Sequence, residues 1–234
     1  MKNCPASRVS RLLKSAYHHG DLSNALVDAG ISLLEQNGNA DFTLRDLAGR
    51  VGVSHAAPYS HFKDKNALLA AIAAVGFNRL QEALETSIKG QDVPAEQFLH
   101  MGTAYVRFGT ESPALYKLMF ASEELAAEHG EYPELQSAGN AAFEALTGQL
   151  RRMQQAGYLR EGDIDGFGLA VWAHVHGLTS LIITGCLECV GEIGSERTFP
   201  VAEAVQMSLM SLLGGLQNPS KTESALKTQS STYG

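Results

Sequence analysis

Thr43–Phe62 reads TLRDLAGRVGVSHAAPYSHF, and its residue types fall in the order of a capped helix, a glycine turn and a second short helix. Thr43 and Asp46 have capping-box spacing, in which the hydroxyl accepts an orphan amide and the acid faces the positive end of the helix dipole. Leu44, Leu47, Ala48 and Val51 recur on one helical face. Gly52 is suited to the left-handed conformation that stops a helix, and Val53 is an apolar plug for the turn. Ser54 is expected to cap the second helix, over His55–His61, whose small, hydroxylated and imidazole side chains predict an outward face. Pro58 sits awkwardly there, because a proline so far past the cap removes a helical hydrogen bond. Either the cap lies later or the first turn is irregular. The pattern is that of a helix-turn-helix.

Around this stretch, the 234 residues suffice for a small domain and a larger one. Net charge is −7, which taken alone argues against nucleic acid. The distribution reverses that: residues 1–65 hold 8 Lys and Arg against 6 Asp and Glu, and the remainder hold 10 against 19. Lys2, Arg8, Arg11 and Lys14 precede the first acid, so residues 1–16 are expected to form a flexible basic arm drawn to phosphates. Three cysteines, no secretory leader and no apolar run of membrane length predict a soluble cytoplasmic protein with no membrane partner.

Leu22, Ala25, Leu26, Ala29, Leu33 and Leu34 form a stripe that stops at Asn37-Gly38. A long connecting helix is expected over 64–89, carrying Leu68, Leu69, Ile72, Phe77, Leu80 and Leu84, and Gly90–Pro94 breaks it. Further helices are expected at Ala95–Gly109, Ser112–Phe120, Pro133–Ala156, Ile164–Cys189 and Val201–Leu216, with a looser acidic stretch around Glu123–Glu131. Nothing alternates with a period of two, so the fold class is all-α. The division is a helix-turn-helix domain over 17–63, a helical bundle over 64–216 and a disordered tail over 217–234. Val201, Val205, Leu209, Leu212 and Leu216 share one face, which is read as a seam wanting a partner.

Over residues 17–80 these features resemble the tetracycline-repressor-like (TetR) family of bacterial transcription regulators. The resemblance rests on the helix ending at Gly38, on TLRDLAGRVGVS, on Tyr59-Ser60-His61-Phe62, and on Lys63-Asp64-Lys65 opening a helix with Leu68-Leu69. Trp172-Ala173-His174-Val175-His176-Gly177 is similar to a tryptophan, histidine-glycine signature in the C-terminal domain of one subgroup. The resemblance implies a homodimer on double-stranded DNA, with a C-terminal domain for ligand binding and dimerisation. It places Thr43, His55, Tyr59, His61 and Lys65 at positions that commonly touch DNA. Arg45 suits a phosphate, and Ser54, His55, Ala56 and Ala57 occupy the turn nearest the base edges, where an alanine offers only a methyl to thymine. The competing reading for Tyr59 and His61 is packing in the domain's own core.

Phe98, Met101, Tyr105, Trp172 and His176 combine apolar walls with polar tips, so they are candidates for a small-molecule pocket as well as for core. Cys186-Leu187-Glu188-Cys189 is a lone CxxC without the second pair a zinc site wants, and His174 and His176 diverge on a helix. No metal, cofactor or catalytic constellation is expected, and the chain is not read as an enzyme. The function expected is a ligand-responsive DNA-binding regulator, a repressor released by an unidentified small apolar effector. The alternative is a helical ligand-binding or protein-interaction module without specific DNA readout.

Overall fold

The computed structural model describes residues 19–121, 132–187 and 200–217. The expected basic arm, Cys4, the acidic stretch around Glu123–Glu131, Cys189 and the tail beyond Gln217 lie outside the described residues. Among the described residues the regular elements are helices: α1 (His19–Asn37), α2 (Leu44–Val51), α3 (Lys65–Ser87), α4 (Pro94–Glu111), α5 (Pro113–Ala121), α6 (Pro133–Gln155), α7 (Ile164–Ile183) and α8 (Val201–Leu216), with one 3₁₀ turn at Ala57–Ser60. Packing divides the chain into two compact units, Met1–Ile72 and Ala73–Gly234. The boundary falls inside α3, later than the 63/64 division expected.

In the first unit, Leu26, Leu34, Leu47, Leu68 and Ile72 are fully enclosed, with Phe42 and Phe62 beside them. The first turns of α3 therefore belong to this core, which is why the boundary moves into the helix. At Gly30 the helices approach closely: a Cβ there would come within 2.6 Å of Ile72 Cδ1 and force that side chain to shift. The capping box of α2 forms. Thr43 Oγ1 accepts from the Asp46 amide at 3.2 Å, and Asp46 Oδ2 accepts from the Thr43 amide at 2.7 Å. Gly52 ends α2 at φ 79°, and its amide donates back to the Ala48 carbonyl.

The element after the turn corrects the expected helix over His55–His61. Ser54 is not its N-cap; the capping position is Ala56, with no side-chain bond, and the regular part is the single 3₁₀ turn Ala57–Ser60. Pro58 explains the difference. Placed in the opening of a short helix it costs no hydrogen bond, whereas four residues past a Ser54 cap it would.

In the second unit α4 packs against α5, α6, α7 and α8. Pro94, Pro113 and Pro133 are the first residues of α4, α5 and α6, where the missing N–H is harmless and the fixed φ is helical. Asp163 caps α7, accepting from the Gly166 amide at 3.0 Å. That helix stops at Ile183 and not at Cys189, because Gly185 takes φ 72°. Cys186 is a free, exposed thiol. Gln217, expected to begin the tail, instead pairs with Leu159 across an isolated bridge.

Two expectations about apolar surface are corrected. Val205, Leu209 and Leu216 are buried within the chain's own fold together with Leu213, so the face read as a partner seam is core. The apolar residues that α8 exposes are Val201, Met207 and Met210. Averaged over 18 residues, α3 and α7 reach mean hydropathies of 1.2 and 1.4, enough by length and composition alone to cross a membrane. Neither contains an unbroken apolar run of that length, because Asn78, Arg79 and Gln81 interrupt α3 and His174, His176, Thr179 and Ser180 interrupt α7. Half of the α3 window is buried, as in a core helix, while only 28% of the α7 window is.

Candidate nucleic-acid interface and apolar cavity

The helix-turn-helix exposes a small surface. Arg45, Ser54, His55, Ala56 and Tyr59 are exposed, Tyr59 to 52%, whereas Ala57, His61 and Lys65 are half-buried and Pro58 is buried. Thr43 is exposed but engaged, since its hydroxyl donates to Asp46 Oδ2 at 2.7 Å and its amide donates to the same oxygen. These bonds hold the Asp46 carboxyl below the usual carboxylate range. A phosphate at Thr43 would compete with Asp46 for this hydroxyl, which in the structure serves the helix it caps. Arg50 bonds Ser32 Oγ and Gln36 Oε1, both at 3.2 Å, and ties α2 to α1. The Lys65 ammonium lies 5.6 Å from the centroid of the Phe42 ring, a cation–π contact that orients it.

The second unit holds a cavity of about 500 Å³. Phe98, Met101, Tyr105 and Trp172 line it. His176 does not, and its placement among the lining residues is corrected. It stands behind the wall, 4.7 Å from Phe120 and 6.1 Å from Trp172 between ring centroids. Phe77, Leu80 and Leu84 of α3, Phe120 of α5 and Phe143 of α6 also contribute to the lining. In the sequence Phe77, Leu80 and Leu84 stand out only as part of the connecting helix's apolar stripe; which side chains border a void depends on packing between distant helices.

Behind the wall is a polar cluster that sequence reasoning did not assemble. Tyr116 Oη lies 2.6 Å from His176 Nδ1, Tyr105 Oη lies 3.2 Å from Tyr116 Oη, and Tyr105 Oη lies 3.3 Å from His176 Nδ1. Burial pushes both phenols above their ordinary range, with Tyr116 adding to the effect on Tyr105, and burial pushes the imidazole below 6.5. All three groups are therefore uncharged at neutral pH. His174, two residues away, bonds Ser208 Oγ at 2.7 Å and joins α7 to α8.

A fold that is all-helical among the described residues, with a capped helix-turn-helix ahead of a bundle that forms a largely apolar cavity, has the build of a DNA-binding transcription regulator. Residues 26–72 match the family of bacterial regulatory proteins, tetR family, and residues 98–199 match the tetracyclin repressor-like C-terminal domain. The chain belongs to the TetR family of transcription regulators. It is similar to a protein of unknown function from Rhodococcus sp. RHA1, with a TM-score of 0.74 at 32% identity over 88% of this chain and all of that one. The fold is shared with the fatty acid degradation regulator FadR of Bacillus halodurans, at TM-score 0.64 and 15% identity over 83% of this chain and 95% of that one. The nucleoid occlusion factor SlmA of Enterobacter sp. (strain 638) is 25% identical over 138 residues, which cover 59% of this chain and 68% of that protein.

Proposed function

We propose that this chain is a homodimeric cytoplasmic repressor, acting by binding and not by catalysis, that leaves a near-palindromic operator when a small, mostly apolar molecule fills its cavity. The observation that carries this reading is the placement of α3. Its Leu68 and Ile72 are core residues of the helix-turn-helix unit, and its Phe77, Leu80 and Leu84 line the cavity. A ligand that displaces α3 acts on the element that holds the helix-turn-helix. A coupling of about 1–3 kcal/mol between the two sites weakens DNA binding about 5–150-fold.

Arg45, His55, Ala56 and Tyr59 are assigned to the DNA-facing surface, with Lys65 as a backbone contact. Dimerisation is assigned to α7 and α8, whose Leu169, Leu181, Met207 and Met210 are 42–58% exposed. An open face made by two packed helices suits a two-fold four-helix interface.

The test is fluorescence anisotropy with duplex DNA flanking the protein's own gene, run across a salt series. Binding should be specific over a scrambled duplex and fall steeply with salt. Binding no tighter than to the scrambled duplex would favour the helical module without DNA readout.

A further inference from the structure

The cavity has an inner and an outer end. Phe98, Met101 and Tyr105 border it and are buried, whereas Asn140 and Trp172 border it and are open to solvent, with Leu135 and Gly139 half-buried beside them. Among the described residues the opening therefore lies at the rim between α6 and α7. Of the twenty residues that line the cavity none is charged, and three carry a side-chain nitrogen or oxygen: Tyr105, Asn140 and Trp172. The first and the last are engaged within the protein. The Tyr105 hydroxyl lies 3.2 Å from Tyr116 Oη and 3.3 Å from His176 Nδ1, and the Trp172 indole donates toward it. Asn140 bonds no other described group, and its amide offers both a donor and an acceptor.

Gly139, the neighbour of Asn140, is not kept small by packing. A Cβ at Gly102, Gly109 or Gly168 would come within 2.4–2.7 Å of another side chain, but one at Gly139 would meet nothing within 4 Å. A glycine inside a helix is less stable there than any ordinary residue, and the space this one leaves on α6 borders the cavity. We propose that the cavity admits, past Gly139, a ligand with a single polar end, which stays at the rim with the Asn140 amide while its hydrocarbon body fills the interior. This rests on the cavity being the effector site. A second polar group at the far end of such a ligand would be buried beside Phe98 and Met101 with no partner left to bond it, and would lose its hydration without replacement. One polar end is accepted and two are not.

The experiment compares 1-octanol with 1,8-octanediol on the full chain by calorimetry and thermal shift. The alcohol should bind about tenfold more tightly than the diol, the worth of one buried polar group left unbonded. Asn140→Leu, at an exposed helix position, should weaken octanol about fivefold, the worth of one hydrogen bond, without lowering the melting temperature of the ligand-free protein. Gly139→Leu fills the space at the rim. It should hold or raise the ligand-free melting temperature, because it replaces a glycine inside a helix, and should abolish stabilisation by octanol. Should either variant lose its helical circular dichroism, the other variant and the two probes on the unaltered chain still decide. Diol binding as tightly as alcohol, or octanol affinity unmoved by Asn140→Leu or by Gly139→Leu, would overturn the orientation and leave the cavity as a ligand site. Failure of both probes to stabilise the unaltered chain would overturn both.

Discussion

At the scale of single residues, the buried polar groups set conditions on the rest of the molecule. His176 is neutral in the fold because burial lowers its pKa below 6.5. The unfolded chain therefore takes up its proton first as pH falls. Stability from this group is fully present above about 6.5 and is lost as pH drops toward the depressed folded value. Thermal melts of the parent and of His176→Asn should diverge over that window, with the variant less sensitive to acid. Gln149 is a second such residue, fully buried. Its Nε2 donates to the Pro94 carbonyl at 2.9 Å, and its Oε1 accepts from Arg152 Nη2 at 2.6 Å. Gln149→Met keeps the volume but removes both bonds at a fully buried position, so chemical denaturation should show a loss of about 1–3 kcal/mol.

Elements follow from these residues where local chemistry is strong. The capping box and glycine stop of α2 were legible because Thr43, Asp46 and Gly52 make bonds within a few residues of themselves. Thr43→Ala should lower stability by about 1 kcal/mol through the lost cap, read as a shift in the denaturation midpoint. Tyr59→Ala, on an exposed side chain, should leave the melting temperature unchanged while weakening operator binding. The recognition turn was only half legible. Ser54 is a good cap and Pro58 a good helix opener, and the sequence contains both; which of them governs was decided by burying Pro58. Helix α8 misled for another reason. A helix between its own core and an open face carries two apolar stripes, and the richer one, Val205, Leu209 and Leu216 with Leu213, goes to the chain's own core. Leu209→Ala should accordingly cost about 2–5 kcal/mol of folding stability. The polar cluster was the least legible feature, since Tyr105, Tyr116 and His176 lie on three helices and meet only through tertiary packing.

For the whole molecule, assembly and folding are separable. If α7 and α8 form the dimer interface, Leu181→Glu combined with Met210→Glu places charges on exposed positions and should leave helical content intact. Sedimentation should then report a monomer at concentrations where the parent chain is a dimer, and unchanged association would refute the interface. The cavity has a consequence of a different kind, because about 500 Å³ bordered by Phe98, Met101 and Phe143 is space in which the second unit lacks filling. Whatever molecule occupies it acts as a late-arriving part of the core and raises stability by RT ln(1 + [L]/Kd), about 2.7 kcal/mol at a hundredfold excess over Kd. Proteases cut the opened chain, so an occupied protein should outlast an empty one in the cell. The amount of this protein would then rise with the supply of its occupant, and the cavity would set the chain's lifetime as well as its shape.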